Sequence, residues 1–146
     1  MNLLKMAILC TVFATAISLL IGTNVVNAQT VATDIHKAKD PGPGFGNETI
    51  GTVSFNTHDN TLDVSVNMTA VPKPDKVFEA WLVDADGSNY KLSLGAIAGD
   101  SLKTSQRMIN PYTYTQFIIT EEPRNDVDPN AAGTYGGVDL PPPFGQ

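Results

Sequence analysis

Leu62-Asp-Val-Ser-Val-Asn-Met68 sets an apolar side chain at every second position, Leu62, Val64, Val66 and Met68, with a polar one between each pair. A period of two is the signature of a strand with one buried and one solvated face. Upstream, Thr52-Val-Ser-Phe55 alternates in the same way, and Thr57-His-Asp-Asn60 between the two runs supplies a turn, so the pair predicts a hairpin. Downstream, Val71-Pro-Lys-Pro74 interrupts the ladder and carries the chain to another edge. Val77-Phe-Glu-Ala-Trp-Leu-Val83 follows, the most apolar run, and is expected to be a central strand ending in the Asp84-Ala-Asp-Gly87 turn. Further strands are expected over Tyr90–Ile97, within Leu102–Ile109, over Tyr114–Thr120 and, as a short last one, over Thr134–Leu140, with a loop from Glu121 to Gly133.

No helical period of 3.6 residues is sustained after residue 28. Six or seven short strands at this spacing predict an all-β fold, an antiparallel two-sheet sandwich of immunoglobulin-like architecture over residues 48–140. Trp81, Leu82, Val64, Val66, Phe117 and Ile119 are its expected core. Both faces of 77–83 are apolar, so one should meet the rest of the core and the other lie under loops. Residues 29–47 read as a linker, because Asp40-Pro-Gly-Pro-Gly-Phe-Gly46 suits neither helix nor strand. Residues 141–146, opening with Pro141-Pro-Pro143, read as a stiff proline-rich tail.

The N-terminus reads as an apolar signal or anchor helix over residues 1–28. Lys5 precedes an apolar run to Ile21, and Val26-Asn-Ala28 places small residues where a signal peptidase cuts, so cleavage is expected after Ala28. The alternative is an uncleaved anchor: Met6 to Val26 is 21 residues, enough for a hydrocarbon core of ~30 Å. Thr11, Thr15, Ser18, Thr23 and Asn24 weaken it as a permanent span. Either way the rest of the chain is expected to be extracytoplasmic, touching membrane only through residues 6–26 if they remain attached.

Removing 28 residues leaves 118, with 8 basic and 15 acidic side chains, a balance of −7. Such a surface repels a phosphate backbone and argues against nucleic acid as a partner. The single cysteine, Cys10, lies in the leader. The exported part therefore has no disulfide, thiol chemistry or cysteine-held metal.

Two acidic stretches resemble the start of a calcium loop. Asp84-x-Asp86 with Asn89 has Gly87 at position four and Gly95 at position twelve, where a common calcium loop has glycine at six and a bidentate acid at twelve. Asp126-x-Asp128-x-Asn130 has Ala131 in place of the glycine and Gly137 in place of the closing acid. Both read as polar turns. His36 and His58 are the only imidazoles, one in the expected linker and one in a hairpin turn. Glu121 and Glu122 are adjacent at a strand end and should point to opposite faces, which unsuits them as an acid–base pair. No Gly-x-Ser-x-Gly elbow is present. Trp81 reads as core. Tyr112 and Tyr114 offer either a contact patch or ordinary packing. Asn47-Glu-Thr49 and Asn67-Met-Thr69 are N-glycosylation triplets, with Asn67 expected on the polar face opposite Val66 and Met68.

Phe78-Glu-Ala-Trp-Leu-Val-Asp-Ala-Asp-Gly87, Leu94-Gly-Ala-Ile97 and Phe117-Ile-Ile-Thr-Glu-Glu-Pro123 together resemble the C-terminal extracytoplasmic domain of anti-sigma-K-type regulators. In that family a Trp-Leu-Val strand enters an Asp-rich Gly turn, a Leu-Gly strand start follows, and a later strand ends in Thr-x-Glu-Pro. The resemblance spans roughly residues 49–140. It implies an all-β domain outside the cytoplasm. Four residues precede Lys5, so the cytoplasmic sigma-binding part is expected to be lacking, and Arg124-Asn-Asp-Val-Asp-Pro-Asn130 replaces the family's Gly-Gly-Ser-Pro-like segment.

The expectation is an exported, non-catalytic binding or regulatory module without cofactor or metal, whose partner is a protein or a cell-envelope component. The alternatives are a membrane-anchored extracytoplasmic sensor, and a metal-binding protein or enzyme that uses the Asp-rich loops.

Overall fold

A computed structural model describes residues 29–146. The segment read as signal or anchor, with Cys10, lies outside the described residues. Eight strands run in chain order: β1 (Gln29–Ala38), β2 (Phe45–His58), β3 (Thr61–Met68), β4 (Lys76–Val83), β5 (Lys91–Ala96), β6 (Ser101–Arg107), β7 (Gln116–Pro123) and β8 (Thr134–Asp139). A single 3₁₀ turn, Pro111–Thr113, precedes β7. Among the described residues no helix is long and apolar enough to cross a membrane.

The fold is all-β and every neighbouring pair is antiparallel. The expected division into two sheets is replaced by one sheet of eight strands, ordered β5-β4-β7-β8-β1-β2-β3-β6. It curls until its edge strands β5 and β6 meet at their connecting turn, where Ala98 and Ser101 form an isolated bridge. The result is nearly a barrel.

The cause of the difference is β1. The segment expected to be a linker is a strand for most of its length, pairing with β2 from Gln29↔Thr57 to Ala38↔Phe45 and with β8 at His36↔Gly137 and Lys37↔Gly136. It thereby joins the four strands β5-β4-β7-β8 to the three strands β2-β3-β6. Val31, Thr33 and Ile35 alternate toward the interior, and Ile35 is fully buried. Close approach at the junction with β8 depends on glycine: a Cβ on Gly136 would lie 2.6 Å from the His36 carbonyl oxygen, and one on Gly137 would lie 2.7 Å from the Phe45 ring. The turn-forming residues 39–44 make only the β1–β2 connection, closed by Lys39 N–H donating to the Gly44 carbonyl at 3.0 Å.

The inward faces of both halves form the main core, with Phe55, Val64, Val66, Leu82, Phe117 and Ile119 all buried. The two-faced character of β4 holds: Trp81, Val83 and Ile118 make a second, smaller cluster on the outer side, covered by Phe45 at the start of β2 and by Ala85 and Ala131 from connecting segments. The C-terminal residues are not a projecting tail. Phe144 is 4% exposed, with its ring 5.2 Å from Phe55 and 5.6 Å from Tyr112. Gly145 N–H donates to the Tyr112 carbonyl at 2.7 Å. Burial of this one aromatic ring outweighs the stiffness of the preceding prolines and turns the segment back against the barrel end.

Candidate functional site

The outer faces of β2, β3 and β6 carry a shallow polar trough. Its cross-strand rows follow from register: Asn56 opposite Asp63 opposite Ser105, then Ser54 opposite Ser65 opposite Lys103. The inward residues between them, Phe55, Val64 and Val66, fix which way these side chains face. Three serines set among longer neighbours leave a hollow of about 470 Å³.

Asp63 is held in it by two side-chain contacts. His58 Nε2 lies 2.8 Å from its Oδ2, and the Ser105 hydroxyl donates to Oδ1 at 2.5 Å. The Ser105 hydrogen bond, followed by the His58 contact, holds the Asp63 carboxyl below its ordinary value. His58 reaches it because Asp59 and Asn60 both take positive φ, 44° and 59°, in a tight two-residue hairpin that closes His58 against Thr61. Asn56 accepts a 3.2 Å hydrogen bond from Thr30, and Lys103 is exposed with no ion-pair partner among the described residues. In the sequence His58 stands out only as an imidazole in a hairpin turn. The signal lay in the turn: across a two-residue hairpin the diagonal neighbour of His58 is Asp63.

The order of groups determines the chemistry. A nucleophilic serine needs a base on its hydroxyl. Here the carboxylate stands between imidazole and hydroxyl, so His58 and Ser105 both point at Asp63. The trough presents hydrogen-bond acceptors, hydroxyls and, among the described residues, one ammonium group without an ion-pair partner.

The other residues singled out in the sequence lie elsewhere. Asp84 accepts from the Ser88 N–H and hydroxyl, both at 2.8 Å, and the backbone hydrogen bond contributes most to its lowered pKa. Asp126 accepts from Asp128 N–H at 2.8 Å, and Asp128 from Asn130 N–H at 3.0 Å. Both acidic loops are turns closed on their own backbone. Among the described residues no group of three or more His, Asp, Glu or Cys is placed to hold a metal ion. Glu121 and Glu122 diverge as expected: Glu121 pairs with Lys73 at 3.5 Å, whereas Glu122 is buried and accepts from Ala132 N–H at 2.8 Å. Tyr112 is packed, its hydroxyl 2.9 Å from that of Thr57. Burial, then the nearby Tyr90 and Asp84, pushes the Tyr114 phenol up. His36 sits on β1 opposite Gly137, on another part of the sheet from His58. Asn47 and Asn67 are both exposed, and Asn67 lies opposite the buried Val66 and Met68 as predicted.

Comparison with protein-family models, with curated proteins and with solved structures finds no match.

Proposed function

We propose that this chain is an exported, non-catalytic binding or regulatory module, and that it takes its partner, a protein or a cell-envelope component, on the trough between β2, β3 and β6. The observation carrying this reading is Asp63, oriented from two sides by His58 and Ser105 and facing outward. Orienting hydrogen bonds remove the ordering cost that a free surface carboxylate meets on binding. The likeness of residues 49–140 to the extracytoplasmic part of anti-sigma-K-type regulators supports a regulatory role outside the cytoplasm. The leader-like residues 1–28 support export.

The test is cosedimentation of the purified mature protein with isolated cell envelope from the producing organism. The parent should pellet with the envelope. Lys103→Glu should lower the retained fraction several-fold while the melting curve stays at the parent's position, and Asp63→Asn should lower it as far at a temperature where that variant is still folded. Equal retention of parent and variants removes the trough as the binding surface.

A further inference from the structure

We infer that Asn47, and not Asn67, is an N-glycosylation site of the folded protein. The inference rests on the export reading, since it needs the chain to meet glycosylating enzymes outside the cytoplasm. Both triplets are complete, and Asn47, Thr49, Asn67 and Thr69 are all exposed. Exposure therefore does not separate them. Backbone pairing does.

In the transfer, the asparagine carboxamide nitrogen bonds to the anomeric carbon of a lipid-diphosphate-linked oligosaccharide. The lipid diphosphate leaves with the electron pair of the broken carbon–oxygen bond, and one amide proton passes to a base of the transferase. The enzyme must take the asparagine amide and the threonine hydroxyl two residues on into its own cleft, so the triplet has to leave whatever backbone pairing it has.

Asn67 lies inside β3, opposite Thr52 of β2 on one side and Ser101 of β6 on the other. Lifting it breaks both ladders together and draws its neighbours Val66 and Met68, 0% and 6% exposed, out of the core. Asn47 is placed differently. The β1–β2 register passes from Ala38↔Phe45 to His36↔Thr49, so three residues of β2 stand against Lys37 alone. Asn47 is the middle one of that bulge. Pairing of β2 with β3 begins only at Gly51, so no strand holds Asn47 from its other side. Bulge residues sit outside the ladder and have their side chains re-aimed. What ties the Asn47 triplet down is the pairing of Thr49 with His36, on one side only, and an exposed Lys37–Glu48 pair at 3.7 Å, which water and salt readily replace. Asn67 also stands on the trough face, two residues from Ser65, so a bare Asn67 leaves that face open.

The experiment is glycopeptide mass spectrometry on the full chain exported by its own producing cells. A second arm incubates unglycosylated folded protein with an N-oligosaccharyltransferase and a lipid-linked oligosaccharide. The expected result is sugar on the Asn47 peptide and a bare Asn67 in both arms. Asn47→Gln should abolish the mass increase, and Asn67 should become modified only when the sheet is destabilised, as in Phe55→Ala. An exported chain with bare Asn47, or sugar on Asn67 of the folded protein, overturns the inference alone. A chain retained inside the cell with residues 1–28 attached overturns the export reading and this inference with it.

Discussion

The indole N–H of Trp81 donates a 2.8 Å hydrogen bond to the hydroxyl of Thr120, and both residues are buried on the outer side of the sheet, away from the main core. Trp81 on β4 lies opposite Ile118 on β7, so Thr120 is its diagonal neighbour on the same face. Tryptophan is buried at little cost only when its one donor finds an acceptor. Trp81→Ala should therefore destabilise by ~3–5 kcal/mol through lost aromatic packing. Thr120→Val, which keeps the shape but orphans the indole donor, should cost about 1–3 kcal/mol. Denaturant unfolding measures both, and a parent-like midpoint for Trp81→Ala would show that the outer cluster adds nothing to stability.

Asp63 carries a predicted dependence on acid. Its folded-state pKa is lowered from 3.8, with Ser105 the first cause and His58 the second. A depressed carboxylate pKa contributes stability that is present above the unfolded value and lost as pH falls through the folded one. The contribution should therefore fade below about pH 4, given an unperturbed carboxylate near 3.9, and Asp63→Asn should flatten that part of the acid-unfolding curve. Observed by NMR, Ser105→Ala should move the Asp63 titration upward more than His58→Ala does. A reversed order would reassign which partner holds the carboxylate.

Phe144 should behave as a core residue although only Gly145 and Gln146 follow it. Its ring touches both Phe55 and Tyr112 and is almost fully covered. Phe144→Ala should lower stability by ~3–5 kcal/mol, as should a chain ending at Leu140. Thermal melts decide this. A projecting tail would predict superimposable curves.

How far the sequence revealed this arrangement depends on how local each signal was. The β2–β3 hairpin and the outward side of Asn67 followed from alternation, because burial on one face imposes a period of two, and the two-faced β4 followed from the lack of it in an almost wholly apolar run. β1 was missed because its only large apolar residues are Val31 and Ile35, set among Asp34, His36 and Lys37 and followed by proline and glycine. Its strand character comes from partners in β2 and β8, all but Phe45 more than ten residues distant. That omission produced the second error, since without β1 the two halves of the sheet have nothing between them. In the trough, each of Ser54, Asn56, Asp63, Ser65 and Lys103 looked like ordinary solvent-facing polarity. Only cross-strand register brings them together, and register is not written in any one strand.

The joining role of β1 gives the last prediction. Ile35 is fully buried and central to the strand linking β2 to β8. Ile35→Ala should cost about 2–5 kcal/mol, where a linker position would stay within about 0.5 kcal/mol of the parent. Limited proteolysis gives an independent reading from two lysines only two residues apart. Lys37 lies in the strand, with its backbone opposite Gly136, whereas Lys39 is exposed at the start of the turn that leads to β2. A protease must draw an extended segment of substrate into its cleft, so cleavage follows local opening. Trypsin acting on the folded protein should cut after Lys39 and spare Lys37, while Ile35→Ala, by loosening β1, should make Lys37 sensitive as well. Equal, rapid cleavage after both lysines in the parent would return residues 29–38 to the status of a linker and divide the sheet into two.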